Sequence, residues 1–478
     1  MHQPQWAMPP VSSFAEAVVF LEKGIDYERT RRWLHNARWM NLPRVAALLD
    51  AMGDPHRAYK VLHVAGTKGK GSTAGAAAHC LHRAGLRTGL LTSPHLVTHR
   101  ERIRVDGRMI SQDEFWPIVR RMQPHVEARR AAEGLDSHRA PTYFEMLTVL
   151  ALEHFARRGA EWAVVEVGLG GRLDSTNVVS PAVCVITPIG YDHMDKLGET
   201  PGEIAAEKGG ILKEGVPFVL GRQRYPDARE TLRRMATERH CPCWEVGRDV
   251  VLIRNEVLAA PASAPTAPVG RRFGLRTPCG EHHDLFTPLL GAHQLDNLAA
   301  AVAALEMAVE HGDLAFPAAA LPAALADFRI PGRVELLQRQ PAFVLDVAHT
   351  IESTEALIDA LSVHFPGRRV HVVFGCSADK NAEGMLGAMR GHCATLTATQ
   401  SRMRRARPAV EVAQAAVGCG LADAGCRIDT IPDAWEAVRV ALERAEPADV
   451  VCVTGSFYVA GEVRAEWAKR HPEAAEET

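Results

Sequence analysis

Three glycines and a lysine lie close together in a stretch whose residue types could hold a phosphate. Residues 61–72 read VLHVAGTKGKGS, an apolar run followed by Gly66, Gly69 and Gly71. Glycines let backbone N–H groups approach a phosphate closely, and the N-terminus of a following helix attracts anions. Lys70 is placed to reach the β- and γ-phosphates of a nucleotide, and Ser72 to bind a phosphate oxygen or Mg²⁺. A glycine-rich surface turn is the alternative.

Four further polar residues follow predicted strands: Ser93, Glu166, His193 and Asp346. Ligands of open α/β sheets bind at the carboxyl ends of the strands. We expect Glu166 and His193, each read as following an apolar strand directly, to be held rigidly beside the phosphate loop. A carboxylate, an imidazole and a hydroxyl there would suit Mg²⁺ bridging the phosphates of ATP. A capping or ion-paired glutamate and a structural histidine are the alternatives.

The elements that must position these residues alternate between strand and helix. This alternation predicts an α/β protein, in which a P-loop domain with a doubly wound, mostly parallel sheet precedes a smaller Rossmann-like α/β domain. The predicted helices are 13–23, 42–52, 72–84, 112–133, 143–158, 203–212 and 293–311. The predicted strands are 87–92, 162–167, 182–187, 216–220, 342–346, 370–374, 395–399, 427–431 and 449–453, with a hairpin over 99–110.

Three stretches interrupt the alternation. The sequence Ile330-Pro331-Gly332-Arg333 is typical of a linker and predicts domains at 1–329 and 330–478. Residues 257–270, rich in Ala and Pro, are expected to form a flexible loop or insertion rather than a packed element. Residues 24–42 combine four arginines with two tryptophans. They fit either an ordered loop beside a substrate or a solvated basic face.

Composition argues against several classes of protein. The chain has 478 residues with a net charge of −2, so its charge gives no sign of a nucleic-acid or membrane partner. It has no apolar run of transmembrane length and no signal peptide at its N-terminus, and its ten scattered cysteines suit a reducing cytoplasm. Cys241 and Cys243 beside His240 leave a metal site open as an alternative to packing. A monomer is the default expectation.

Eleven motifs, taken together and in order, resemble the folylpolyglutamate synthase/dihydrofolate synthase family of the Mur ligase superfamily. They span residues 60–460. They are HVAGTKGKGST at 63–73, TSPHL at 92–96, ERIRVDG at 101–107, TYFE at 142–145, EVGLGGRLDSTN at 166–177, DHMDKLG at 192–198, EIAAEKGGILK at 203–213, HQLDN at 293–297, PGRVE at 331–335, DVAHT at 346–350 and TGSFY at 454–458.

The resemblance implies an enzyme that uses ATP to join L-glutamate to dihydropteroate, to a reduced folate, or to both, through an acyl phosphate. Residues 1–329 would be the ATP-binding domain with the folate site, and residues 330–478 the glutamate side. The two domains would close over the cleft near Ile330–Arg333. A Mur-type ligase with a different acceptor and a nucleotide-binding regulator without ligase activity are the alternatives.

The resemblance also assigns roles to individual residues. ATP would be held by the loop residues Gly66, Thr67, Gly69, Lys70, Gly71 and Ser72, with Asn297 at the adenine, Arg333 at the γ-phosphate and Asp346 at the ribose. Two Mg²⁺ sites would use Ser93 and Glu166 for the first ion and His193 for the second. Thr142, Leu173, Asp174 and Ser175 would line the pteroate site. His349 and Ser456, with Asp379 and Lys380, would serve glutamate binding and the closed state of the enzyme.

Lys208 matches the lysine that this family carbamylates. A carbamate replaces a cation with an anion, and its formation needs a neutral amine, so the site must lower the pKa of Lys208. The chain departs from the family pattern in two ways, of which the segment at 25–44 bears on substrate choice and the replacements at Lys68 and Thr350 are tolerable. Residues 25–44 form a longer and more basic segment than relatives have, and Lys68 and Thr350 stand where many relatives have Asn.

Overall fold

The computed structural model describes residues 9–25, 40–133 and 140–472. Most of the arginine- and tryptophan-bearing segment at 24–42 therefore lies outside the described residues. The helices are α1 Phe14–Glu22, α2 Leu42–Ala51, α3 Lys70–Arg83, α4 Gln112–Glu133, α5 Tyr143–Arg157, α6 Met194–Leu197, α7 Pro201–Lys208, α8 Pro226–Glu238, α9 Ala292–Glu310, α10 Leu321–Asp327, α11 Ile351–His364, α12 Ala382–Ala388, α13 Ala409–Gly418, α14 Ala434–Arg444 and α15 Phe457–Arg470.

The strands belong to three sheets. They are β1 Lys60–Ala65, β2 Thr88–Leu91, β3 Ile103–Val105, β4 Arg108–Met109, β5 Trp162–Glu166, β6 Val183–Ile186, β7 Phe218–Leu220, β8 Cys243–Glu245, β9 Val251–Leu258, β10 Gly270–Thr277, β11 Gly280–Thr287, β12 Glu335–Arg339, β13 Ala342–Leu345, β14 Val370–Phe374, β15 Thr395–Gln400, β16 Arg427–Asp433 and β17 Val450–Thr454.

The first sheet is organised around β1. Its eight strands run in the order β4-β3-β2-β5-β1-β6-β7-β8, with β2, β5, β1, β6, β7 and β8 parallel and β3 and β4 antiparallel at one edge. All residues of β1 after Lys60 are buried, as expected for a strand covered on both faces. Strands β5 and β6 are the parallel strands that follow β2 along the chain, and they lie on opposite sides of β1. The carboxyl end of β1 is therefore a topological switch point of the sheet.

The second large sheet has the order β12-β13-β17-β14-β15-β16. Its strands are parallel except β12, which pairs antiparallel with β13. A third sheet has the order β11-β10-β9. The predicted hairpin over 99–110 is shorter than expected, because His99–Arg102 forms a 3₁₀ turn and only β3 and β4 pair across Asp106 and Gly107.

The chain divides into two compact units. The first comprises residues 1–252, 275–281 and 296–324, and the second comprises 253–274, 282–295 and 325–478. The second unit thus includes segments that precede the expected linker at 330. The functional division at 329/330 stays a prediction.

The expectation that residues 257–270 are not packed is wrong at the two ends of the segment, whereas residues 261–268 form an exposed or half-buried loop. Ala260 and Val269 are buried in the core of the second unit with Val344 and Val450. The amide of Ala260 donates to the carbonyl of His364 over 2.8 Å. Small alanine side chains fit closely against a sheet, and prolines lack an N–H that would need a partner, so a composition typical of linkers also suits a packed crossing.

Candidate active site

The phosphate loop joins β1 to α3, and two of its glycines are required by the local geometry. Gly66 has φ 143° and Gly69 has φ 85°, conformations that residues with a side chain rarely adopt. A Cβ at Gly66 would lie 1.9 Å from Thr187 Oγ1, and one at Gly69 would lie 2.2 Å from Asn297 Oδ1. The backbone is therefore packed against both neighbours, and Asn297 lies beside the loop.

The start of the loop is bound to the segment after β6. The amides of Thr67 and Lys68 donate to the carbonyl of Pro188 over 3.0 and 3.3 Å. Thr67 Oγ1 also accepts from the amide of Gly190 over 3.1 Å. The groups left for an anion belong to the first turn of α3, which begins at Lys70, because first-turn amides have no partner within a helix.

Glu166 and Ser93 meet beside this first turn. The amide of Ser93 donates to Glu166 Oε2 over 2.8 Å, and Glu166 is only 3% exposed. A Cβ built on Gly71 would be 3.4 Å from the same oxygen, so the carboxylate adjoins the helix start. A carboxylate and a hydroxyl on neighbouring strand ends supply the hard oxygen ligands that Mg²⁺ prefers, so these residues fit that ion.

The expectation that His193 directly follows a strand is wrong. Residues 187–192 separate it from the end of β6, and it lies exposed at the start of α6 with φ 50°. Its Nε2 is 3.7 Å from Oδ1 of the adjacent Asp192, whose Oδ2 is 3.4 Å from Lys68 Nζ. The predicted strand at 182–187 already left residues 188–192 before His193, and in the structure this turn carries His193 out to solvent. Its role as a metal ligand stays a prediction.

Lys208 ends α7 and is buried, with 3% of its surface exposed. Burial and, second, the positive charge of Lys70 lower the pKa of Lys208 to about 7, whereas Asp192 and Asp174 oppose this shift. The lowered pKa favours the neutral amine of Lys208. The lowered pKa that carbamylation requires is present.

The residues expected on the acceptor side adjoin α5 and the turn after β5. Thr142 caps α5, since its Oγ1 accepts from the amide of Glu145 over 3.3 Å. Ser175 Oγ is 2.7 Å from Thr148 Oγ1, on the second turn of the same helix. Leu173 is half-buried. The structure therefore brings Thr142 and Ser175 to one helix, with both side chains hydrogen-bonded within the protein.

Asp174 is buried and accepts several hydrogen bonds. Oδ2 accepts from the amide of Leu169 over 2.9 Å, and Oδ1 accepts from the amide and hydroxyl of Thr176 over 3.0 and 2.5 Å. Burial raises the pKa of Asp174 despite these bonds. His63 Nε2 lies 2.9 Å from the same hydroxyl. His63 is not recognisable as a site residue from the sequence, where its only signal is a polar residue within an apolar strand.

In the second unit, Asp346 fixes the backbone around Arg333. Its Oδ2 accepts from the amide of Val334 over 2.8 Å, and its Oδ1 accepts from the amide of Ala348 over 2.7 Å. Burial raises the pKa of Asp346 to about 6, although these bonds and the charge of Arg333 oppose the rise. Asp346 is thus a buried carboxyl whose Oδ2 holds the segment that carries Arg333, while its Oδ1 holds the turn that follows Asp346.

Phe457 brings two of the second unit's predicted residues together. The Arg333 guanidinium lies 5.3 Å from the centre of the Phe457 ring, and the His349 ring lies 5.5 Å from it. Ser456 caps α15 by accepting from the amide of Tyr458 over 3.0 Å. Phe457 had no assigned role in the sequence analysis, although it belongs to the TGSFY motif.

Comparison with known proteins decides the family. The model of the Mur ligase middle domain matches residues 64–305, and that of the Mur ligase glutamate ligase domain matches residues 332–457. The dihydrofolate synthase/folylpolyglutamate synthase of Bacillus subtilis is 38% identical over 365 residues, covering 75% of this chain and 82% of that protein. This chain belongs to the folylpolyglutamate synthase/dihydrofolate synthase family.

Solved structures of this family share the fold. A folylpolyglutamate synthase of Mycobacterium tuberculosis complexed with ADP and AMPPCP has a TM-score of 0.79 and 31% identity, covering 90% of this chain and 95% of that chain. FolC of E. coli in complex with DHPP and ADP has a TM-score of 0.79 and 26% identity, covering 97% of this chain and all of that chain. The predicted fold class and family are therefore confirmed. No helix in the described ranges is long and apolar enough to cross a membrane.

Proposed function

We propose that this chain is an ATP-dependent ligase that joins L-glutamate to the carboxylate of dihydropteroate, of a reduced folate, or of both, releasing ADP and phosphate. The observation that carries this proposal is the buried Glu166 carboxylate beside Ser93 at the start of α3. A bare glycine-rich turn would not need a carboxylate there. The names of the relatives support glutamate ligation, and the DHPP complex of E. coli FolC supports a folate-type acceptor.

The chemistry asks the protein to bring two anions together. An oxygen of the acceptor carboxylate attacks the γ-phosphorus of ATP, the bond to the β-phosphate oxygen breaks, and an acyl phosphate and ADP form. The glutamate amine then attacks the acyl carbon, loses a proton and expels phosphate. Lys70 and the first-turn amides of α3 offset the repulsion between the two anions and stabilise the transferring phosphoryl group.

Mg²⁺ fits the residues beside this loop. Ser93 and Glu166 would hold one ion, and we assign His193 to a second. When bound, the ion supplies positive charge that offsets the charge of the phosphates. The protein's own part is to keep the Glu166 carboxylate fixed, which the amide of Ser93 does from the neighbouring strand end.

Lys208 is proposed to carry a carbamate. Its amine, neutral in part because of burial and Lys70, would attack carbon dioxide and lose a proton. The product is an anion beside Lys70 that can orient a cation or Lys70 itself. The roles of Asn297, Arg333 and Asp346 toward ATP, and of His349 and Ser456 toward glutamate, stay predictions. The hold of Asp346 on the Arg333 segment supports a defined place for that guanidinium.

We also propose a monomeric enzyme of the cytoplasm. All ten cysteines are free thiols in the structure, which suits a reducing compartment. Size-exclusion chromatography with light scattering tests the oligomeric state.

A ligation assay tests the function. The purified protein is incubated with ATP, Mg²⁺ and L-glutamate and either dihydropteroate or tetrahydrofolate, and mass spectrometry detects one added glutamyl unit. Product from both acceptors identifies a bifunctional enzyme, and product from one names the reaction. No amide from either acceptor, while ATP is still bound, would overturn the folate assignment but not the fold.

A further inference from the structure

A fully buried histidine lies within β1, the strand that carries the phosphate loop. His63 pairs in register with Val165 of β5 and Cys184 of β6, and none of its surface is exposed. Its Nε2 is 2.9 Å from Thr176 Oγ1, whereas its Nδ1 is buried without a hydrogen-bond partner in the described part of the chain. Burying a polar ring with the unpartnered nitrogen Nδ1 costs free energy. The chain has a histidine here despite that cost, so the hydrogen bond at Nε2 needs a structural or functional reason.

The direction of that bond follows from its neighbours. The Thr176 hydroxyl has a single hydrogen and donates it to Asp174 Oδ1 over 2.5 Å. With Asp174 ionised, the hydroxyl oxygen accepts from His63, which places the imidazole proton on Nε2 and leaves Nδ1 bare. Asp174 also accepts from the amides of Thr176 and Leu169. The relay thus runs one way, from His63 through Thr176 to a carboxylate surrounded by donors.

This relay holds a specific turn. The bond from the Leu169 amide to Asp174 ties the start of the glycine-rich turn after β5 to its end. The next residues are held from the other side, since Asn177 donates to the carbonyls of Arg172 and Gly210 and accepts from Lys213 Nζ over 2.8 Å. Of these anchors, His63 is the one that lies on β1, so it joins the turn to the strand that ends in the phosphate loop.

We propose that His63 is a positioning residue for the acceptor substrate, which it orients by fixing Thr176 and Asp174 and hence the turn at 168–175. This inference rests on the proposed function and on the family resemblance, which places Leu173, Asp174 and Ser175 at the acceptor site. His63 contacts no reacting atom. Without the His63 Nε2–H, the Thr176 hydroxyl loses its donor and is held only by its bond to Asp174, so the Asp174 carboxylate has a less fixed partner.

The proposal is tested by variants of His63 that place a hydrogen-bond donor at the position of Nε2 or at that of Nδ1. The amide nitrogen of glutamine can occupy the position of Nε2, whereas that of asparagine reaches only the position of Nδ1. We expect His63→Gln to keep the KM for the folate acceptor within about twofold. We expect His63→Asn and His63→Leu to raise that KM about tenfold, the effect of one lost hydrogen bond, with the KM for ATP unchanged. Thr176→Val also removes the bond to Asp174, so it should raise the KM for the acceptor at least as much as His63→Leu, and the double variant should be no worse than Thr176→Val alone.

Several results would overturn the proposal. One is an unchanged acceptor KM in His63→Leu; another is an equal rise in the KM for acceptor and ATP, which indicates a general loss of structure. If the variants do not fold, ¹⁵N NMR of the wild-type protein decides, because a His63 protonated on Nδ1 contradicts the relay. A protein that forms no amide with any folate acceptor disproves the proposed function instead. Hydrogen exchange at the Leu169 amide, faster in His63→Leu than in His63→Gln, then tests the relay without activity.

Discussion

Asn297 occupies the space that a side chain on Gly69 would need. A Cβ at Gly69 would lie 2.2 Å from Asn297 Oδ1, and the backbone there has φ 85°. Gly85, just beyond the other end of α3, has nearly the same φ of 90°, yet a Cβ there would meet nothing within 4 Å. Substitutions at Gly85 and Gly69 can therefore be compared, because the first introduces backbone strain alone and the second also places a side chain in the phosphate loop.

Replacing each glycine by alanine should give different results. Gly85→Ala should lower the free energy of unfolding by about 1–2 kcal/mol through strain alone and leave nucleotide binding intact. Gly69→Ala should lose stability and also weaken ATP binding at least about tenfold, because the loop and Asn297 must move apart. Calorimetric titration with a non-hydrolysable ATP analogue and denaturant unfolding measure the two effects. Equal nucleotide affinity in both variants would contradict this account of the loop.

Glu166→Gln should impair catalysis while leaving the fold intact. The amide oxygen of glutamine can still accept from the amide of Ser93, so the local structure should remain. We expect kcat to fall about 10²–10³-fold and the Mg²⁺ concentration for half-maximal rate to rise, because a neutral ligand replaces an anion. Glu245→Gln is the control, since that buried carboxylate pairs with Arg229 at the outer strand β8. An unaltered Mg²⁺ dependence in Glu166→Gln would remove Glu166 from the metal site.

The lowered pKa of Lys208 predicts how activity depends on pH and on carbon dioxide. With a pKa of about 7, Lys208 is mostly protonated at pH 6 and mostly neutral at pH 8. Only the neutral amine forms a carbamate, so the part of the rate that depends on bicarbonate should rise as pH increases through 7. Carbon-13 NMR with labelled bicarbonate should show a carbamate signal that is absent in Lys208→Met. A wild-type rate that is indifferent to carbon dioxide depletion would exclude the carbamate.

The same shift has a consequence for stability. The pKa of Lys208 is lower in the folded chain, about 7, than its ordinary value of 10.5. Between these values the unfolded chain binds the proton that the folded chain has lost, so this group makes stability increase with pH. The difference in free energy of unfolding between wild type and Lys208→Met should follow that rise from pH 7 to 10. A constant difference across this range would contradict the lowered pKa.

The Ala- and Pro-rich crossing offers a test of packing. Ala260→Asp places a carboxylate in the core of the second unit and should lower the free energy of unfolding by about 3 kcal/mol. Ala264→Asp is the matched control, because Ala264 is exposed in the same segment. It should change stability by less than about 0.5 kcal/mol. Guanidinium unfolding followed by circular dichroism distinguishes a packed segment from a free loop.

The buried elements of the fold could be predicted from sequence. Strands β1, β5 and β6 are mostly apolar runs. An apolar run that is followed by glycines and a helix has few structural interpretations other than a buried strand. The third sheet was missed because its strands lack that signal. In β9 three of eight residues are exposed and none is fully buried, and β11 reads GEHHDLFT. A strand that faces solvent carries little hydrophobic periodicity.

The candidate site was predictable where motifs are local and not where partners are distant. The local pattern around Gly69 and Lys70 is enough to predict a phosphate loop. The partner of His63, by contrast, is 113 residues away in sequence, so nothing near His63 distinguishes it from an ordinary strand residue. His193 shows a different error: the predicted strand at 182–187 already left residues 188–192 before it, yet His193 was read as following the strand directly.

The interleaving of the two units constrains how the chain is made and how it can be cut. Their boundaries fall at 252/253, 274/275, 281/282, 295/296 and 324/325. Ala260 and Val450 belong to one core, so a ribosome must release nearly the whole polypeptide before that core can close. A truncation at residue 330 would leave Ala260 and Val269 without the later core residues that they pack against. Neither half should therefore be recoverable as a stable fragment from a single cut, and expression of separate domains would need segments rejoined by design.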